Sequence, residues 1–249
     1  MRTPESRLRW IARFCKAATA PFVRYEVVGG ACAPDLEVGI VAANHRSLFD
    51  VVAGLIALHH FRRYVRVLIA REYFERRFMG LVCRAIGAIP VDRGDAGHAL
   101  DAAIDALRHD IPLLIMPEGK LHWDPDQPLT TGPAKTGISR LAIGAAVPVL
   151  PAGLVGTQHV WPAGHPLPRM NPFRRRRLVV VNVADEPMWL HGEDHAANAE
   201  TVMAEIRRLM AEGEALLPPA PARTSLATRD GTSGGEDARL RRPRGRDDL

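Results

Sequence analysis

His45 and Asp50 stand five positions apart in the segment Asn44-His45-Arg46-Ser47-Leu48-Phe49-Asp50, between an apolar run, Val38 to Ala43, and an apolar helical stretch, Val51 to Leu58. A neutral imidazole takes a hydroxyl proton near neutral pH. A carboxylate on its other ring nitrogen fixes the tautomer and stabilises the imidazolium, and such a base is worth ~100-fold to ~10,000-fold in rate. Two more polar segments follow apolar runs. In Gly87-Ala88-Ile89-Pro90-Val91-Asp92-Arg93-Gly94, the planar fork of Arg93 suits a phosphate. In Met116-Pro117-Glu118-Gly119-Lys120, Gly119 permits close approach of a ligand to backbone, and Glu118 would face the same cleft. Taken singly, each has a plainer meaning: a capped helix beside a surface histidine, an Asp-Arg surface pair, a Pro-Glu-Gly turn.

The elements that must position these segments follow an α/β rhythm. Short apolar runs at Val38 to Ala43, Val65 to Ala70, Ala88 to Val91, Leu113 to Met116, Val147 to Leu150 and Leu178 to Val183 alternate with helical patterns. One helix is predicted after an Asp95 cap, with Leu100, Ile104 and Leu107 inward, and a later one carries Val202, Ile206 and Leu209 on one face. Ligands of open α/β sheets bind beyond the carboxyl ends of strands, which is where the three polar segments fall. The longest apolar stretch, Leu141 to Val155, is short of the ~20 residues a membrane span needs and carries Pro148 and Pro151, so it reads as a buried strand without a transmembrane helix.

Composition narrows the function class. In 249 residues the net charge is +5, concentrated in the N-terminal segment, Arg174 to Arg177 and the far C-terminus, which favours anionic partners. No zinc-finger, KH or RRM signature accompanies the charge, so a membrane surface is expected and nucleic acid is not. Cys15, Cys32 and Cys83 lack metal spacing and are odd in number, so neither a zinc site nor a disulfide framework is expected, and a reducing cytoplasm is the default. Arg13 and Lys16 interrupt the apolar run a secretory signal would need. Leu8, Ile11, Phe14, Cys15 and Ala18 recur at helical spacing among Arg7, Arg9, Arg13 and Lys16, near Trp10. That pattern fits an interfacial helix or a surface helix packing on its own domain, and the charge favours the membrane. Residues 1–24 are read as this basic amphipathic segment, 25–217 as the main domain, and 218–249, poor in large apolar residues, as a disordered tail.

In their order and separation the three polar segments resemble the glycerolipid acyltransferase family typified by 1-acyl-glycerol-3-phosphate acyltransferase. The resemblance covers roughly residues 38 to 185. It implies a single α/β domain with a mixed open β-sheet flanked by helices, preceded by the amphipathic helix. Through the family's His-x4-Asp block it assigns catalysis to His45 as base and Asp50 as its orienting group. Its second block gives Arg93 the acceptor phosphate; its third gives Glu118 an acceptor-binding role and Gly119 a steric one. The fourth, Val147-Pro148-Val149-Leu150-Pro151, makes Pro151 structural, with Lys135-Thr136-Gly137 before it. One departure stands out. The family's Thr-Arg after Pro-Glu-Gly is replaced by Lys120-Leu121, so a point charge at Lys120 stands in for a bidentate guanidinium in substrate binding.

The expected activity is transfer of a fatty acyl group from acyl-CoA or acyl-carrier protein to a 1-acyl-glycerol-3-phosphate or related lysophospholipid, in phospholipid biosynthesis. A phosphate-free lipid acceptor, or a non-catalytic lipid-binding module, stays open as an alternative. The acceptor hydroxyl would attack the thioester directly, with no acyl-enzyme, no metal and no cofactor beyond the donor. Ser47 lacks the Gly-x-Ser-x-Gly elbow of an acyl-serine hydrolase. The other histidines lack ligand spacing, and only His122, beside the third block, stands near the expected site. The protein is expected in the cytoplasm, peripheral on the inner face of the cell membrane.

Overall fold

The computed structural model describes residues 4–33, 35, 38–91, 96–124, 126–165, 167–171, 173 and 175–218. Arg93 and Asp95 therefore lie outside the described residues, as does the expected tail apart from Pro218.

Seven strands form one mixed sheet: β1 (Val23–Gly29), β2 (Ile40–Ala43), β3 (Arg66–Ala70), β4 (Ile89–Val91), β5 (Leu113–Ile115), β6 (Val149–Val155) and β7 (Arg177–Val183), in the spatial order β1-β7-β6-β2-β5-β3-β4. Every neighbouring pair is parallel except β6 and β7. The helices between them are α1 (Pro4–Thr19), α2 (Asp50–His60), α3 (Arg71–Glu75), α4 (Arg77–Ala85), α5 (Ala96–Arg108), α6 (Gly137–Ala145), α7 (Thr157–Val160) and α8 (His195–Ala215).

Alternation along the strands divides the core. Ala43, Leu150, Leu154, Val179, Val181 and Val183 join a cluster with Leu8 of α1 and Ala53, Ala57 and Leu58 of α2. Ile40, Ala42, Val149, Val155 and Val180 face a second cluster with Leu107 of α5, Ile138 and Leu141 of α6, and Val202, Met203, Ile206 and Met210 of α8. Covered on both faces, β6 is buried at all seven positions. It meets α8 at Gly153, where a Cβ would stand 2.5 Å from the backbone nitrogen of Met210.

The apolar stretch Leu141 to Val155 is not one strand. Its first part ends α6, Ala146 takes a left-handed conformation with φ 53°, and only Val149–Val155 is extended. The β6 strand also runs past the expected end at Leu150, through Pro151. In a strand, N and C=O of one residue point to the same side, and the Pro151 carbonyl accepts from Ala184, just beyond the last residue of β7. The donor that proline lacks is thus on a side where the ladder has already ended.

The strand β1 straddles the expected boundary at residue 24, and α1 packs on the domain through an inner stripe. Leu8 and Ala12 are buried and Ile11 is packed against the first cluster. Phe14 and Ala18, expected on that face, point away from it. Trp10 and Phe14, 58% and 60% exposed, instead stack on each other at 6.1 Å on the outward face. One helix thus carries two apolar stripes, one closing the core and one open to its surroundings. Among the described residues, no helix is long and apolar enough to cross a membrane.

Candidate active site

The turn from β2 into α2 carries the His-Asp pair. Asn44, fully buried, fastens the end of β2 to β6: its Nδ2 donates to the Leu154 carbonyl at 2.9 Å and its Oδ1 accepts from the Leu154 amide at 2.7 Å. The chain then turns, and Asp50 opens α2, where a negative charge meets the positive end of the helix dipole. Asp50 is fully buried. Its Oδ2 accepts from the amides of Arg46 and Ser47, both at 2.7 Å, and lies 3.0 Å from Nδ1 of His45. A carboxylate only accepts, so this contact puts the ring proton on Nδ1 and leaves the lone pair on Nε2. The His45 side chain retains 17% exposure, enough to meet a substrate.

The backbone of His45 is held as firmly as its ring. Its amide donates to Oε1 of Glu118 at 2.9 Å, and its carbonyl accepts from the His122 amide at 2.7 Å. Oε2 of Glu118 accepts from Gly132 at 2.8 Å. Glu118 is 2% exposed, and burial pushes its carboxyl above the ordinary range, against the pull of the His45 and Gly132 amides. Each Glu118 oxygen therefore holds a backbone amide. Gly119, at φ 66°, takes the left-handed conformation that a turn here requires, and a Cβ there would meet Cε and Nζ of Lys135 at 2.8 Å. Lys120 is exposed.

The hydroxyl of Ser47 donates to the Trp161 carbonyl at 2.6 Å while accepting from the Phe49 amide at 3.0 Å. Those bonds shape the turn and fit the absence of a nucleophile elbow. Asn44, Glu118 and Asp50 bring together the first and third polar segments.

Arg46 is a participant that sequence reasoning passed over. It is 1% exposed, donates to the Pro128 carbonyl, and lies with its guanidinium 5.3 Å from the ring centre of Trp123. Burial pushes its pKa down, while Glu214, Asp50 and Glu118 pull it back. It thus ties Trp123 and Pro128 to the His-Asp turn. An arginine in a polar turn ordinarily reads as solvated, so its one signal was position, next to the candidate base. Beneath α2, an apolar cavity lined by Ala43, Gly54, Leu114, Leu150, Leu154 and Val181 has Asp50 in its wall. Its wall is apolar apart from Asp50 and Arg63, and its volume is about 50 Å³.

A 1-acyl-sn-glycerol-3-phosphate acyltransferase of Chlamydomonas reinhardtii is 28% identical over 152 residues, covering 59% of this chain and 43% of that protein. The chain thus spans less than half the length of that relative. The crystal structure of PlsC from Thermotoga maritima, a 1-acyl-sn-glycerophosphate acyltransferase, superposes with a TM-score of 0.64 at 23% identity, over 85% of this chain and 84% of that one, and shares the fold. The model of the family described as Acyltransferase matches residues 24–155, more than half of the sequence, from β1 through the His-Asp turn and the Glu118 segment to the end of β6. The chain belongs to the acyltransferase family.

Proposed function

We propose that the protein transfers a fatty acyl group from an acyl thioester to the free hydroxyl of a 1-acyl-glycerol-3-phosphate or related lysophospholipid, at an anionic membrane surface. The observation that carries this reading is the 3.0 Å approach of His45 Nδ1 to Asp50 Oδ2 beside an apolar cavity. Family membership and the name of the Chlamydomonas relative support the acceptor class.

In this reading Nε2 of His45 takes the acceptor's hydroxyl proton as its oxygen attacks the thioester carbonyl. The tetrahedral intermediate then collapses: the C–S bond breaks, and the thiolate leaves with the proton the imidazolium returns. Asp50 stabilises the imidazolium between the two transfers. No side chain becomes acylated, and no cofactor beyond the donor enters. Arg93 and Lys120 serve the acceptor phosphate, while Gly119 keeps the third segment's turn. Glu118 serves acceptor binding by holding His45 and Gly132 in register. The outward Trp10 and Phe14, with the surrounding cations, hold the protein on the inner face of the cell membrane.

A lipid-acceptor panel tests the reading. Radiolabelled acyl-CoA and acyl-carrier protein are each offered with lysophosphatidate, a lysophospholipid lacking a phosphomonoester, and a phosphate-free monoacylglycerol, with thiol release followed in parallel. Transfer to lysophosphatidate, lost in His45→Ala, is expected. Transfer to monoacylglycerol alone would move the acceptor to the phosphate-free class, in line with Lys120-Leu121 replacing the family's Thr-Arg. Absence of thiol release with every acceptor would refute the enzyme and leave a lipid-binding module.

A further inference from the structure

A second anion-binding surface lies away from the catalytic turn. Arg9 and Arg13 of α1, His59 and His60 in the last turn of α2, and Arg62 and Tyr64 just after it line one open groove. Asp50 and His59 are at opposite ends of α2, about 14 Å apart at 1.5 Å per residue. Among the described residues, no carboxylate lines the groove. Arg9, Arg13 and Arg62 are exposed and form no salt bridge among the described residues.

We propose that this groove binds a phosphomonoester, presented by the headgroup of an anionic membrane lipid. Three guanidinium groups from two separate segments converge there, and guanidinium matches the oxygens of phosphate through its planar fork. The carbonyl end of α2 carries about half a negative charge that opposes an anion, and three full positive charges outweigh it. The walls are braced: Tyr64 Oη lies 3.4 Å from His59 Nδ1, and the rings of His60 and Phe61 meet edge to face at 5.2 Å. The cationic field is felt inside the groove, since burial, and then Arg13, Lys16 and Arg9, push the pKa of His59 down.

The lipid source follows from the neighbouring stripe. By helical spacing, Arg9 and Arg13 lie on the flank of α1 between the buried Leu8 and Ala12 and the outward Trp10 and Phe14. With those two rings in the interfacial layer, the groove sits at headgroup depth. A phosphomonoester carries more charge and more free oxygens than a diester, so the preference should exceed a simple charge effect.

The test uses the full chain and phosphatidylcholine vesicles doped with phosphatidic acid or, at matched surface potential, phosphatidylglycerol. Binding is read by flotation for the native protein, for Arg13→Gln/Arg62→Gln, and for Arg7→Gln/Arg24→Gln as a control of equal charge outside the groove. All three keep the catalytic turn, so any phosphatidic acid bound there cancels. The native protein should favour phosphatidic acid at least fivefold. The groove variant should lose that preference, and the control should keep it within twofold. A parallel titration with inorganic phosphate, followed by phosphorus NMR, separates the sources. Groove-dependent binding of free phosphate without a vesicle preference would overturn the headgroup assignment. Equal losses in both variants would overturn the groove altogether and leave a diffuse basic surface.

Discussion

Replacing Asp50 by Asn removes a charge while leaving an acceptor in place. Oδ2 receives His45 and two backbone amides, and Oδ1 has no partner among the described residues, so the amide oxygen of Asn takes the Oδ2 position and its nitrogen the other. What disappears is the attraction that steadies the imidazolium. With charge centres about 4 Å apart and an effective dielectric constant of about 20, that attraction is about 4 kcal/mol. The barrier rises by that amount, which slows turnover about a thousandfold. Both groups are shielded from solvent, Asp50 fully, so the figure needs little discount for screening. The assay is thiol release from acyl-CoA at saturating lysophosphatidate, giving kcat apart from KM. Because the two residues act as one unit, His45→Ala/Asp50→Asn should be no slower than His45→Ala alone. Turnover by Asp50→Asn within tenfold of the native protein would refute the orienting role. Multiplying losses in the double variant would show two independent functions.

Glu118→Gln leaves one of two buried amides without a full acceptor and should cost about 1–3 kcal/mol, read from urea midpoints. Its pH dependence has a definite sign. Because the folded carboxyl is raised above 4.5, its stabilising contribution is complete below that value and is lost as pH climbs through the folded one. The advantage of the native protein over Glu118→Gln should therefore shrink from pH 4 to pH 7; a growing gap would mean that the amide bonds outweigh burial. Trp10→Ser/Phe14→Ser removes exposed rings and should weaken vesicle flotation at least tenfold with no change in melting temperature, whereas unchanged flotation would make the outward stripe idle. Leu8→Ala opens the core beneath α1 and should cost about 2–4 kcal/mol in thermal unfolding. A cost below about 0.5 kcal/mol would show α1 to be an appendage, since surface changes stay within that range.

The His-Asp pair was legible through the order and separation of the three polar segments, since five positions on one turn would by themselves equally suit a capped helix beside a surface histidine. Expected strands at Val65 to Ala70, Leu113 to Met116 and Leu178 to Val183 match β3, β5 and β7 within a residue, since strands inside the sheet leave short continuous apolar runs. The strand β1 left no such run. Arg24 and Glu26 pair across its exposed side at 3.5 Å, and an edge strand buried on one side alone looks like a linker. The Glu118 bonds to His45 and Gly132 were equally hidden: Pro-Glu-Gly reveals a turn but not what lies 73 residues earlier. The double use of α1 was out of reach for a related reason. Both stripes contain aromatic and aliphatic residues, and only the position of α2 decides which one is covered.

The place of β1 in the sheet bears on how the protein comes off the ribosome. Its ladder partner is β7, and the loop after it is tied in the same way, with the Ala31 amide donating to Asp185, 154 residues away. Until β7 emerges, β1 presents an open edge, the kind of segment that recruits other chains. The helix α1 finds its own partner, α2, much sooner. The last contact to form is the one with the longest loop to close. A chain stalled before residue 177 would thus hold the His-Asp turn, the Glu118 segment and the whole of β6, and still lack the strand that closes its sheet.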